Sequence, residues 1–280
     1  MTPATRLLML FLTLGFCAAS FSFAEPPNRA QQSTPALTVR VDKDNWKGDS
    51  PADVEAVLRS TARELLPQFP GITLEPMRVS GIGGPITLFA REPDGSIRIK
   101  LDTGGRLWAQ CAFQFAHELT HILCRYRPDK HPNKWFEESL CETGSLFALR
   151  KMGESWKTSP PYPNWKSYAP NLVEYAQKRI TEHALPAGKS FVEWYTENKP
   201  ALLKSAVDRP RNTTVATVLL PLFEKTPEHW AAVYYLNEGK RAADETFADC
   251  LQRWHDQTPK EHRAFVRALA AQFGISVIAN

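Results

Sequence analysis

The sequence predicts an α+β protein: a small mixed β-sheet with an active-site helix, followed by a mainly α-helical subdomain. Three observations predict this class. Residues 37–41 alternate apolar and polar side chains, as a half-buried strand does, and Ser50 and Pro51 then begin a helix. Two further β-rich runs, 86–91 and 96–101, flank a turn and predict a hairpin. After the hairpin, apolar residues recur at steps of three and four, so helices dominate the remaining chain.

Composition and charge exclude several classes of protein. The chain has 280 residues, of which 43% are hydrophobic and 23% are charged, as in ordinary globular proteins. Its net charge of +4 is too small to indicate binding to nucleic acid. No stretch after residue 24 is long and apolar enough for a stable membrane span. We therefore expect a globular protein with no nucleic acid partner.

The first 24 residues have the organisation of a secretory signal peptide. Arg6 precedes an apolar run over residues 7–19, and small side chains then lead up to Ala24. We expect residues 1–24 to be removed by cleavage and the protein to be secreted or periplasmic. Lipid attachment at Cys17 is a disfavoured alternative, because a bulky phenylalanine stands directly before it.

The exported chain divides into three parts. Residues 25–36 are rich in proline and glutamine and predict a flexible leader. Residues 37–126 hold the predicted strands and form an α/β subdomain that ends with a helix over 106–126. Residues 127–280 form a mainly helical subdomain, and we expect the functional site to lie between the two subdomains.

The helix over 106–126 contains the sequence His-Glu-Leu-Thr-His at positions 117–121. Two histidines four positions apart lie one above the other on one face of a helix, so His117 and His121 can reach a single metal ion. Glu118 lies beside that position and can serve as a base. This pattern is typical of zinc metallopeptidases.

Catalytic zinc usually has three protein ligands and one open position for water, so a third donor is required downstream. The segment Trp-Phe-Glu-Glu-Ser-Leu-Cys-Glu at 135–142 follows a short loop and begins a second predicted helix, 136–151. A carboxylate at the start of that helix can complete the ligand set. The candidates are Glu137, Glu138 and Glu142.

Together, the His-Glu-x-x-His pattern and the Trp-Phe-x-Glu-Ser-Leu-x-Glu segment resemble the gluzincin metallopeptidases, the superfamily of thermolysin and the zinc aminopeptidases. The resemblance covers about residues 96–150. It implies that Glu138 is the third zinc ligand and that Glu142, one turn later, holds a metal-bound histidine. Glu137 stands where the family usually has asparagine, and Ser139 where glycine is common. Glu137 or Glu142 therefore remains an alternative ligand.

The expected mechanism uses a single zinc ion per chain. Zinc held by His117, His121 and Glu138 activates a water molecule and polarises a peptide carbonyl, and Glu118 takes the proton of the water as general base. The same glutamate then passes this proton to the leaving amine.

A developing oxyanion needs a further donor, and members of the family often use a tyrosine or histidine from the helical half. We select Tyr234 and Tyr235, because a predicted buried helix over 227–237 carries both. The alternative is that these two rings belong to an ordinary aromatic core.

The resemblance also implies a strand that binds substrate. Gluzincins bind a peptide as an added strand along the edge of the sheet. The second strand of the hairpin is the expected edge, with Ser96, Ile97, Arg98 and Ile99 next to the peptide. A covered edge is the alternative.

Four cysteines follow the predicted signal peptide: Cys111, Cys124, Cys141 and Cys250. An even number in an exported protein permits one or two disulfides, with three full pairings. We expect Cys124 and Cys141 to be linked or to point away from the zinc, because a thiolate would compete for the metal. A structural Cys/His zinc site is disfavoured, because the paired Cys-x-x-Cys spacing is missing.

The sequence thus predicts an exported zinc metallopeptidase that hydrolyses peptide or protein substrates. The alternative is a catalytically silent, zinc-stabilised module of the same fold that binds peptide or cell-wall material. Glu118 separates the two, because silent relatives of enzymes usually lose the base or a metal ligand first. Its presence favours the enzyme.

Overall fold

Strands and helices are described for residues 33–279 in a computed structural model. The predicted signal peptide, 1–24, and most of the predicted leader, 25–36, lie outside these residues. The segments before and after residue 126 pack together in one compact unit.

A strand and a capped helix open the fold, as predicted. Strand β1 spans Val39–Val41, and helix α1 spans Pro51–Leu65. The side chain of Ser50 accepts a hydrogen bond from the backbone N–H of Asp53, which satisfies one of the free donors at the start of α1. Pro51 occupies the first helical position, where no backbone donor is needed.

The sheet among the described residues has four strands in the order β1-β2-β4-β3. Strands β2 (Met77–Ser80) and β4 (Ile97–Lys100) run parallel to β1. Strand β3 (Ile86–Arg91) is antiparallel to β4 and forms the predicted hairpin with it. The mixed sheet confirms the α+β class. Strand β2 was not predicted, because it contains only two apolar residues and no hairpin turn joins it to a predicted strand, as one joins β3 and β4.

The predicted substrate-binding strand is not an edge strand, and that prediction is wrong. Strand β4 pairs with β2 on one side and with β3 on the other, so its backbone groups are already used. Strands β1 and β3 each have a single partner within the described sheet and form its two open edges. The correction applies to Ser96, Ile97, Arg98 and Ile99.

Helices α2 (Trp108–Leu123) and α3 (Lys134–Ser155) form the centre of the molecule. Both were predicted, and α3 is longer than expected at each end. Gly144 of α3 faces Thr120 of α2 so closely that an added Cβ would lie 2.3 Å from the Thr120 hydroxyl. This close approach brings together the two helices that bear the candidate ligands.

The remaining helices cover α3 and complete the core. Two segments of this half are 3-10 helices. One is Pro163–Tyr168, and the other is Pro227–Tyr235, which lies in the predicted helix over 227–237. No helix within residues 33–279 is long and apolar enough to cross a membrane. The α-helices are α4 (Ala169–Glu182), α5 (Phe191–Lys204), α6 (Arg209–Lys225), α7 (Phe247–Gln257) and α8 (Lys260–Gln272), and the 3-10 helices span Leu66–Gln68, Pro163–Tyr168 and Pro227–Tyr235.

Candidate metal centre

Helix α2 places two histidines on the same face, as the spacing predicts. The ring centroids of His117 and His121 are 5.0 Å apart. Their side chains are only 5% and 15% exposed. The opposite face of α2 is anchored by buried apolar residues such as Phe115 and Leu119, so the two imidazoles are held in a fixed orientation.

Glu138, in the first turns of α3, lies against both imidazoles. Its Oε2 is 3.2 Å from Nε2 of His117, and its Oε1 is 3.6 Å from Nε2 of His121. Burial raises the pKa of this carboxyl, but the hydrogen bond with His117 and the charges of the two histidines outweigh burial and lower the pKa to about 2. Glu138 is therefore ionised and directed at both rings.

The second nitrogen of each imidazole faces a different carboxylate. Nδ1 of His121 is 2.7 Å from Oε1 of Glu137, and Nδ1 of His117 is 3.7 Å from Oε1 of Glu142. Histidines that bind a metal through Nε2 commonly donate their other N–H to a carboxylate or carbonyl. His117 and His121 each have a carboxylate in that place.

The carboxylates strongly favour positive charge at His121. Burial disfavours the charged imidazole, but the hydrogen bond with Glu137 and the negative charges of Glu138, Glu137 and Glu118 raise the pKa to about 10. The same hydrogen bond lowers the pKa of Glu137 in spite of its burial. A metal ion that binds Nε2 would have to displace a proton from this imidazole.

Two buried polar atoms at this centre have no hydrogen bond within the described residues. They are Nδ1 of His117 and Oε1 of Glu142, which face each other across 3.7 Å. Glu142 also lies near two guanidinium groups, with its Oε2 3.4 Å from Arg179 and its Oε1 3.6 Å from Arg209.

A third group near the imidazoles is the thiol of Cys141. One ligand atom each from His117, His121 and Cys141 lie within 4.8 Å of one another, and such a group can hold a metal ion. Burial, however, raises the pKa of Cys141 well above its ordinary value, and contact with the Cys124 thiol raises it further. A metal bound by Cys141 would have to displace the proton of the thiol, whereas Glu138 is already ionised.

The four cysteines within the described residues are free and buried. The one or two disulfides that the sequence permits are therefore not formed in this structure, although Cys124 and Cys141 do contact each other. Cys141 also does not point away from the histidines, as its place in the three-residue group shows. The remaining two cysteines are Cys111 and Cys250.

The side chain of Glu118 extends from α2 to the edge strand β3. It is buried, and its Oε2 accepts a hydrogen bond of 2.8 Å from the hydroxyl of Thr87 on β3. Thr87 is a residue that the sequence analysis did not single out, since nothing in the β3 sequence marks it. It fixes one oxygen of the candidate base and leaves the other oxygen to act.

A cleft of about 240 Å³ opens at this centre. The edge strand β3 forms one wall. Another wall is formed by Val207, which precedes α6, and by Arg209, its first residue. Ile86 and Phe89 of β3 and Val207 are 44%, 46% and 55% exposed, so the rim of the cleft is apolar. Both imidazoles and the carboxylates of Glu118, Glu137 and Glu138 also line this cleft.

Tyr234 and Tyr235 are not among the residues that line the cleft. The ring of Tyr234 lies 5.1 Å from the guanidinium carbon of Arg125 and packs against Tyr235. Tyr126 and Arg209 line the cleft in their place. Sequence reasoning missed both, because Tyr126 lies just beyond the end of α2 and Arg209 belongs to no motif.

Comparison with known proteins gives no match to a family model, a curated protein or a solved structure. The resemblance of residues 96–150 to the gluzincins is therefore one of sequence motifs and stays a prediction.

Proposed function

We propose that this protein is an exported zinc metallopeptidase with His117, His121 and Glu138 as the metal ligands. The observation that supports the ligand set is the convergence of both Nε2 atoms on the ionised Glu138 carboxylate. Two imidazoles and one carboxylate are a common donor set of catalytic zinc, which keeps a further position open for water. Export is proposed from residues 1–24.

Glu138 is a better third ligand than the other acidic or thiol groups nearby. Glu137 hydrogen-bonds Nδ1 of His121, the nitrogen on the opposite side of the ring from Glu138. Glu142 is engaged by two arginines. Cys141 is held neutral by burial. Glu138 alone among the four combines a charge with contact to Nε2 of both histidines.

The residues of the cleft supply the proton chemistry. Zinc, when bound, would acidify a water molecule and polarise the substrate carbonyl. Glu118, oriented by Thr87, accepts a proton in the cleft and returns it to the departing amine. The guanidinium of Arg209 lines the same cleft and can donate to an oxygen that gains negative charge.

The peptide is proposed to lie along β3, the open edge strand that borders the cleft. An extended peptide can hydrogen-bond the backbone of such a strand, which gives affinity with little sequence preference. The exposed side chains of Ile86 and Phe89 offer apolar contacts to the substrate. This assignment replaces β4, which has no open edge.

The proposal is tested by comparing the wild-type protein with Glu118→Gln and with Glu154→Gln, a control on the exposed surface of α3. Zinc is measured by elemental analysis, and hydrolysis of unfolded casein is followed by mass spectrometry. We expect about one zinc ion per chain in all three proteins. Hydrolysis should fall by about 10²–10⁴-fold in Glu118→Gln only.

Two results would contradict the proposal. Hydrolysis that persists unchanged in Glu118→Gln would remove the assigned base. Zinc binding by the wild-type protein without hydrolysis, together with retention of the casein, would instead support a silent binding module.

A further inference from the structure

Asn237 connects the two ligand-bearing helices from a distant part of the chain. It follows the 3-10 helix Pro227–Tyr235 and is 4% exposed. Its Nδ2 donates one hydrogen bond of 2.8 Å to Oε2 of Glu137 and another of 2.8 Å to the backbone carbonyl of Cys124. One amide group thus joins the C-terminal end of α2 to the first turn of α3.

Arg241 determines which way this amide points. Its guanidinium donates to Oδ1 of Asn237 and also pairs with Asp129 at 3.0 Å. Because a guanidinium can only donate, the atom that Asn237 turns toward Arg241 must be its oxygen. The two N–H groups of the amide then face Glu137 and the carbonyl of Cys124.

The same logic continues to His121. Oε2 of Glu137 accepts from Asn237, and Oε1 of Glu137 is 2.7 Å from Nδ1 of His121. A carboxylate can only accept, so Nδ1 must carry the proton. In the neutral ring that binds a metal, the lone pair is then on Nε2, the nitrogen that faces Glu138.

We propose that Asn237 is a positioning residue of the metal centre, and this inference rests on the proposed function. Held by Arg241, it fixes the carboxylate of Glu137, and Glu137 in turn fixes the orientation and the tautomer of His121. Outer partners of metal-bound histidines typically change metal affinity by about 10–100-fold when they are replaced. Asn237 does not contact His121 itself. It binds Oε2 of Glu137, the carboxylate oxygen that does not face His121.

Asn212 provides a matched control. It is 1% exposed, and its Nδ2 also donates to α3, to the carbonyl of Trp135 at 3.0 Å and to the hydroxyl of Ser139 at 3.3 Å. It contacts none of the carboxylates at the metal centre in the hydrogen bonds described. Loss of either buried amide should lower thermal stability, but only one loss should affect the metal.

The test uses the full chain as wild type, Asn237→Leu and Asn212→Leu. Zinc affinity is measured by competition with a chromophoric chelator, cobalt(II) is loaded for visible spectroscopy, and thermal unfolding reports the fold. We expect Asn237→Leu to lose about 10-fold or more in zinc affinity and to show altered cobalt bands. Asn212→Leu should keep the wild-type affinity and bands while its Tm falls.

The inference is overturned if Asn237→Leu folds and binds zinc and cobalt as the wild type does. If Asn237→Leu does not fold, Arg241→Leu removes the donor that orients the amide, and the same loss of affinity and change of bands are expected. Unchanged metal binding in Arg241→Leu would then overturn the inference. If the wild-type protein binds no zinc, the proposed function fails and this inference fails with it. If the wild type binds zinc and the variant binds it equally well, only this inference fails, so the two failures are distinguishable.

Discussion

Two clusters of charged residues in this molecule differ in whether their charges cancel. The sheet cluster joins two carboxylates and two guanidinium groups through three contacts of 2.7 Å on β2, β4 and the adjoining loops. Every charge in it has an opposite partner, and the side chains are partly exposed. The sheet cluster consists of Asp42, Arg78, Glu92 and Arg98.

The metal-centre cluster has an excess of carboxylates over imidazoles. Four carboxylates surround two imidazoles, while Arg179 and Arg209 contact Glu142 and Lys134 lines the cleft. The excess is visible in the pKa of His121, which the carboxylates raise to about 10. The metal-centre cluster consists of His117, Glu118, His121, Glu137, Glu138 and Glu142.

The difference shows what each cluster needs. Buried carboxylates are stabilised by nearby positive charge, so a cation that fits between those of the metal-centre cluster would stabilise it. The sheet cluster is already neutral and stabilises the fold only slightly. If the metal-centre cluster binds a cation as proposed, changes there should alter metal affinity, and changes in the sheet cluster should not.

Replacement of the proposed third ligand should have the largest effect. Glu138→Gln keeps the shape of the side chain but removes the charge that faces both Nε2 atoms. We expect zinc affinity to fall by at least about 100-fold, beyond the typical effect of an outer partner. Titration with a zinc chelator measures the loss.

Glu92→Gln in the sheet cluster is the control for this change. It removes a carboxylate of the same type from a cluster whose charges cancel, so zinc affinity should stay at the wild-type level. Equal zinc affinity of Glu138→Gln and the wild type would contradict the distinction between the clusters.

The close packing of α2 and α3 should give an intermediate effect. In Gly144→Ala the added Cβ would lie 2.3 Å from the hydroxyl of Thr120, and the two helices must move apart. Overpacking of this kind costs about 1–3 kcal/mol of unfolding free energy. Urea denaturation measures the change, and zinc affinity should also decrease because the ligands lie on both helices.

Gly153→Ala on the same helix is the matched control. Its Cβ would also lie 2.3 Å from a side-chain atom, Cγ2 of Val173, but that side chain is 36% exposed and lies on α4, which carries no candidate ligand. A smaller loss of stability and unchanged zinc affinity are expected. If both alanine variants weakened zinc binding equally, the close approach at Gly144 would not be what aligns the site.

Disruption of the sheet cluster should have the smallest effect. Burial raises the pKa of Asp42, but hydrogen bonds and charges from Arg78 and Arg98 lower it below the ordinary value of 3.8. A lowered folded-state pKa stabilises the fold above the unfolded pKa, and this contribution is lost as the pH falls through the folded pKa. Asp42→Asn should therefore cost about 1 kcal/mol at neutral pH.

Urea denaturation of wild type and Asp42→Asn at several pH values checks this sign. The difference in unfolding free energy should shrink as the pH drops below the ordinary pKa of 3.8. A difference that grows on acidification would mean that Asp42 is not stabilised as an anion.

Local patterns in the sequence predicted the elements that carry the site. The histidine spacing in α2, the cap at Ser50 and the turn between β3 and β4 are each encoded within a few neighbouring residues, and the structure confirms these helices and the hairpin. These predictions did not require knowledge of contacts between residues that are far apart in the sequence.

Features that depend on distant segments were missed or misplaced. Strand β2 lies between β1 and β4 in the sheet, and its insertion changed which strand has the open edge. Thr87, Arg209 and Asn237 reach the site from three separate elements, and no local motif marks them. The free thiols likewise depend on tertiary placement rather than on the number of cysteines.

In the proposed metal site a carboxylate, that of Glu138, rather than the nearby thiol of Cys141, is the third ligand. X-ray absorption spectroscopy of the zinc-loaded wild-type protein measures the ligand atoms directly. We predict nitrogen and oxygen ligands at about 2.0–2.2 Å and no sulfur shell. A zinc–sulfur distance of about 2.3 Å would instead assign Cys141 as a ligand and would contradict the claim.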